Sequence, residues 1–244
     1  MRPIIVNVGN FAAPGEDGVA LLSVDNVETA FHEFGHALHG LLSKCSYRAV
    51  SGTSVARDFV EMFSQFNENW AFQPELLAQY AKHYQTGEVI PAELVAKILA
   101  ARTFNQGFMT TELCAASILD MKWHELTEIP ADAGPEWIDA FEAKVCKEMG
   151  LIDEIIPRYR TTYFNHIFSS GYSAGYYGYL WAEVLDKDAF AKFEEHGVWD
   201  LDLARKFKET FLEKGGSEEP MTLFRSFMGR EPDTQPFLKG RGLT

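Results

Sequence analysis

His32-Glu33-Phe34-Gly35-His36 lies inside a run whose apolar residues, Val27, Phe31, Phe34, Leu38 and Leu41, recur at helical spacing. No other feature constrains the chain as strongly. Two imidazoles four residues apart share one helix face, about one turn (~6 Å) from each other. From there they can converge on a single tetrahedral zinc, with nitrogens about 2.0–2.1 Å from the ion. Glu33, beside the first imidazole, can act on water at such a site without ligating. Asp25 followed by Glu28 has capping-box spacing and predicts where this helix begins.

A catalytic zinc needs a third protein ligand. Leu42 occupies the place ten residues after His32 where a third histidine could stand, and His39 reads better as a solvated or core histidine. The candidate is Glu61, in Asp58-Phe-Val-Glu61 early on the next predicted helix. Its spacing from Asp58 suits a capping box at least as well. Glu68 is a weaker alternative ligand.

The rest of the chain reads as mainly α. The second helix starts at Asp58 with Phe59, Met62, Phe66 and Trp70 as its inward stripe, and Pro74 opens a short helix through Tyr84. After a turn at Thr86-Gly87, a long helical stretch runs from Pro91 to about Glu125, weakened around Gly107. Further helices are expected near 136–149, 157–169, 172–195, 199–214 and 220–228. Pro3 to Asn10, rich in β-branched residues and bounded by Gly9, predicts a short buried strand and with it a small sheet near the N-terminus.

Tyr172, Tyr176 and Tyr179 are spaced four and three apart, so a helix would line them on one face. A phenol with a pKa near 10 stays protonated at neutral pH and can donate to an oxyanion. Ordinary aromatic packing explains such a stripe equally well. Gly171, Gly175 and Gly178 each cost a helix roughly 1 kcal/mol and point to a mobile or closely approached segment.

Composition narrows the function classes. The chain of 244 residues is 46% apolar with 14% aromatics, enough for a substantial core. Its net charge of −13 repels phosphate backbones and anionic membrane surfaces, so neither nucleic acid nor membrane is an expected partner. The longest early apolar stretch, Ile4-Ile5-Val6, is too short for a secretory or spanning segment. Three widely spaced cysteines suit a reducing compartment, and the cytoplasm is the expected location.

The block Phe31-His-Glu-Phe-Gly-His-Ala-Leu-His-Gly40, with its separation from Asp58-Phe-Val-Glu61, resembles the zinc site of the thimet oligopeptidase family of metallopeptidases. Gly171-Tyr-Ser-Ala-Gly-Tyr-Tyr-Gly-Tyr-Leu-Trp181 is similar to that family's tyrosine-rich substrate segment. Phe104-Asn-Gln-Gly-Phe-Met-Thr-Thr-Glu112 and Leu119-Asp-Met-Lys-Trp-His124 resemble its bacterial peptidyl-dipeptidase branch. The resemblance runs from Val6 to Leu243. It implies a multihelical zincin-like catalytic domain over residues 1–244, one Zn2+ on His32, His36 and Glu61, and Glu33 as general base. It also implies that Tyr172 and Tyr179 contact substrate or the oxyanion, and that His166 contacts the substrate backbone. The implied substrates are oligopeptides shortened by C-terminal dipeptides; endo-acting cleavage is the alternative.

Two departures stand out. The family usually has proline where this chain has Phe63, which restores a backbone N–H in the first helical turn. Members also usually carry a long N-terminal helical lobe, which is absent from this sequence. The expectation is therefore a catalytic half, acting alone, as a homo-oligomer or with the missing lobe. Arg158 and Arg160 could grip a substrate carboxylate, though solvated arginines are the better reading. His124 has no partner that the sequence identifies.

Overall fold

The computed structural model describes residues 3–244 and is mainly helical. In chain order the helices are α1 (Val24–Leu42), α2 (Arg57–Ala71), α3 (Pro74–Tyr80), α4 (Ala92–Ala101), α5 (Gln106–His124), α6 (Pro135–Glu148), α7 (Asn165–Phe168), α8 (Gly178–His196), α9 (Leu201–Phe207), α10 (Pro220–Met228) and α11 (Gln235–Gly240).

α2 is the central helix. Its inward stripe, Phe59, Met62, Phe63 and Phe66, is buried against Leu185 and Phe193 of α8, Phe207 of α9, Phe211 beyond it, and Phe224 and Phe227 of α10. Phe66 stacks on Phe207 at 4.1 Å between centroids. α1 also packs against α2, with the His39 ring 4.1 Å from that of Phe63. A second, smaller cluster joins Ala116 of α5 to Phe164, Ile167, Tyr172 and Tyr176. The C-terminus is tied back by Arg241, whose guanidinium bonds Glu183 on α8 and Thr110 on α5.

Several expected boundaries move for identifiable reasons. Ser23, not Asp25, caps α1: its Oγ accepts from the Asn26 N–H at 3.1 Å, which leaves Glu28 free to accept from Arg102 at 2.8 Å. Asp58 lies inside α2 and accepts from the Tyr177 hydroxyl at 3.0 Å, so it forms no capping box with Glu61. The stretch from Pro91 breaks at Asn105, in the left-handed region at φ 56°, into α4 and α5. The helix expected over 157–169 is reduced to a turn at Thr161–Tyr163 and the four residues of α7. Buried Glu142 on α6 accepts both the Thr161 N–H (2.8 Å) and its hydroxyl (2.9 Å), taking a donor a helix would use. The helix expected from 172 starts only at Gly178, because Ala174 sits at φ 51°.

Among the described residues the expected N-terminal sheet is not present. Residues 3–10 form no strand, and Ile4, Val6 and Val8 are exposed at 91%, 75% and 86%. β-branching favours extended backbone, yet a ladder needs a neighbouring strand. The one β-type pairing among the described residues is the isolated bridge between Lys82 and Val89.

Candidate metal centre

α1 presents His32 and His36 on one face, their rings edge to face at 5.0 Å. α2 lies against that face because Gly35 has no side chain: a Cβ there would stand 2.6 Å from the Phe63 carbonyl oxygen and 2.7 Å from the Ser64 Cα. This close approach carries buried Glu61 to both imidazoles. Its Oε2 is 3.3 Å from His32 Nε2 and 3.1 Å from His36 Nε2. Ligands about 2.0–2.1 Å from one tetrahedral zinc stand about 3.3 Å from each other, so this donor set fits that ion. One donor atom from each of the three residues lies within 4.8 Å of the others, which makes them a candidate metal-binding group.

The surroundings reinforce the fit. Glu61 Oε1 accepts from the Tyr172 hydroxyl, and Oε2 from Ser64 Oγ at 2.9 Å. Glu68, two turns after Glu61, is no third ligand; it accepts from His32 Nδ1 at 2.6 Å and fixes which nitrogen faces Glu61. Burial would lower the His32 pKa, but bonds to Glu61 and Glu68 overcome it and raise the group to about 10. Burial likewise works against the Glu61 carboxylate, yet His32, His36 and Tyr172 hold it well below the usual range. Both directions follow from one arrangement, in which His32 stands between two carboxylates and Glu61 between two imidazoles.

Glu33 is half-buried and makes no hydrogen bond or ion pair among the described residues. His39 is excluded from the donor set. It is fully buried, its ring lies 4.1 Å from that of Phe63, and neither nitrogen has a partner. Burial, then the nearby His36, pushes its pKa down to about 3.

Beside the triad sits an aromatic wall. Tyr172 stacks on Tyr179 at 5.1 Å, and His166 lies edge-on to both, at 6.0 Å and 6.2 Å. Tyr176 closes the cluster, 5.4 Å from His166, and the Arg57 guanidinium covers Tyr172 at 4.6 Å. The tyrosines are thus grouped, though by a turn (172–177) running into α8 and not by a continuous helix. Burial, then the Glu61 charge, raises the Tyr179 pKa, so its hydroxyl keeps its proton. Burial and the Arg158 charge lower His166, favouring a neutral ring. Arg160 is engaged by Glu142 and Asp139, so it is not free to hold a substrate carboxylate.

Sequence reasoning missed Arg57 and the true role of Glu68. The spacing of seven between Glu61 and Glu68, which places both on one face of α2, was the available signal.

Comparison with known proteins identifies the family. The profile of Peptidase family M3 matches residues 1–243, and the chain belongs to that family. It is 45% identical over 244 residues to dipeptidyl carboxypeptidase of Escherichia coli, covering 99% of this chain and 35% of that protein. It is 40% identical over 243 residues to oligopeptidase A of the same organism, with the same coverage, and 33% identical over 230 residues to a mitochondrial intermediate peptidase of Arabidopsis thaliana, covering 94% of this chain and 32% of that protein. The chain therefore spans about a third of the length of the curated relatives it matches. No helix among the described residues is long and apolar enough to cross a membrane.

Proposed function

We propose that residues 1–244 form a single zinc metallopeptidase catalytic domain that hydrolyses oligopeptides and releases C-terminal dipeptides. The observation that carries this reading is the convergence of His32, His36 and Glu61 beside an unpaired Glu33. Likeness to dipeptidyl carboxypeptidases, at 45% and 42% identity, supports dipeptide release. The 40% identity to oligopeptidase A supports internal cleavage as the second reading. Three free thiols, Cys45, Cys114 and Cys146, suit a cytoplasmic setting.

Zinc held by His32, His36 and Glu61 would supply positive charge that polarises the scissile carbonyl and makes water a stronger acid. Glu33 accepts the proton of the attacking water and returns it to the departing amine. Tyr179, kept protonated, donates to the oxyanion, while Tyr172 gives its one hydroxyl proton to Glu61 and lines the substrate face with its ring. His166 bonds the peptide backbone in this reading, which its neutral ring beside Tyr172 and Tyr179 supports.

The test is metal analysis together with digestion of one N-blocked peptide. Wild type should carry one zinc per chain and release sequential C-terminal dipeptides. Glu33→Gln should keep the zinc and lose nearly all hydrolysis; full activity in that variant refutes the base assignment. Internal fragments would favour the second reading. Zinc without turnover would mean that catalysis needs a second copy or an additional lobe.

A further inference from the structure

The motif Leu119-Asp-Met-Lys-Trp-His124 takes no part in the metal triad, yet it reaches the tyrosine segment. Asp120, on the last turns of α5, is fully buried. Its Oδ1 accepts from the Ala174 N–H and its Oδ2 from the Tyr176 N–H, both at 2.9 Å. His124, one turn on, brings Nδ1 to 2.8 Å from Oδ1. Neither backbone N–H has a helical acceptor, because the chain turns sharply here. The Gly175 N–H bonds the Tyr172 carbonyl at 2.8 Å, and Ala174 is held at φ 51°, a region that costs a residue with a Cβ.

The same segment is wedged on its other side. A Cβ on Gly178 would stand 3.0 Å from the Asp58 Cα, and one on Gly175 would stand 3.3 Å from the Arg57 side chain. The turn is thus clamped between the Asp120 carboxylate and the first turn of α2. Tyr172 precedes Ala174 by two residues, and Tyr179 follows Tyr176 by three. Their hydroxyls therefore stand where that clamp puts them.

We infer that Asp120, supported by His124, is a positioning residue for the proposed hydrolysis: by holding two N–H groups of the turn it sets Tyr172 and Tyr179 against the metal triad. This rests on the peptidase reading above. It concerns a different part of the molecule from the ligands, and its test has an arm that needs no turnover.

Asp120→Asn keeps the shape but turns an amide NH2 toward one of the two donors. Hydrogen exchange of the metal-free chain should then rise about tenfold in 171–177 while α1 and α2 exchange as in wild type. Zinc should still bind, because all three ligands lie on those two helices, with a loss smaller than the fall in kcat since only the Tyr172 bond to Glu61 is loosened. The kcat for peptide cleavage should fall about tenfold or more with little change in KM, the pattern of a lost transition-state contact. Should Asp120→Asn fail to fold, His124→Ala, which removes a partly exposed ring, should show the same pattern at smaller amplitude. Wild-type exchange in 171–177, or wild-type kcat despite a loosened segment, overturns the inference. If wild type binds no zinc and cleaves no peptide, the peptidase reading falls, while the exchange arm still decides whether Asp120 holds the segment.

Discussion

Gly35 offers the sharpest test of how the two ligand-bearing helices meet. Inside a helix, Gly→Ala ordinarily stabilises by about 0.5–1 kcal/mol, because glycine loses more backbone freedom on folding. At Gly35 the structure predicts the opposite. The added Cβ would lie 2.6 Å from the Phe63 carbonyl oxygen, about 0.8 Å inside ordinary contact, and 2.7 Å from the Ser64 Cα. Both neighbours are backbone of α2, so no side chain can swing away; the helices must separate. Overpacking of this kind costs about 1–3 kcal/mol, so Gly35→Ala should be net destabilised by about 1–2 kcal/mol. Separation also draws Glu61 away from His32 and His36. Metal sites tolerate about 0.2 Å in ligand distance, so zinc affinity should fall about tenfold or more. Urea unfolding of the metal-free chain gives the first quantity, and competition against a zinc chelator the second. A Gly35→Ala chain about 1 kcal/mol more stable, with unchanged zinc affinity, would refute the close-packing argument.

Two further outcomes follow from groups around the triad. Glu68→Gln removes the carboxylate that fixes the His32 ring and should lower zinc affinity about 10–100-fold with the fold intact; the same chelator competition checks it. His39, neutral in the fold with its pKa near 3 against 6.5 in the open chain, contributes stability that is fully present above pH 6.5. That contribution is lost as pH falls from 6.5 toward 3, because the unfolded chain takes up the proton first. At pH 5 the loss should be about 2 kcal/mol. Urea unfolding of the metal-free chain at pH 7.5 and pH 5 should show it, and His39→Leu should be less acid-sensitive by that amount. Equal sensitivity in the two chains would show that His39 finds a proton-stabilising partner in the fold.

Legibility of the fold follows the range of the interactions that decide each element. α1 is readable because its apolar period lies within one segment, and even its misplaced cap is a local error: Ser23 and Asp25 are both capping residues two positions apart. The segment over 157–169 is not readable, because the groups that claim its backbone, chiefly Glu142, lie on α6. The expected strand at 3–10 shows the same limit. Its β-branched residues favour an extended backbone, but pairing depends on a neighbour that local composition does not reveal. α11 was missed because six residues hold too little periodicity to register; its place depends on Arg241 reaching Glu183 and Thr110.

The site divides along the same line. His32 and His36 are related by the pitch of one helix, so their convergence follows from spacing alone. Glu61 belongs to another helix, and its local pattern with Asp58 suits a capping box as well as a ligand. Two facts outside that pattern decide where it stands: Asp58 is taken by the Tyr177 hydroxyl, and Gly35 lets α2 close until Glu61 stands about 3 Å from both imidazoles. Gly35 occupies a position of the His-Glu-x-x-His pattern that carries no chemistry of its own, and as an interior glycine it weakens the helix holding the histidines. The weakening is local, whereas the benefit appears only across the α1–α2 contact. A local rule broken inside a well-formed helix is therefore the signal that another backbone must pass there, and here that backbone carries the third donor.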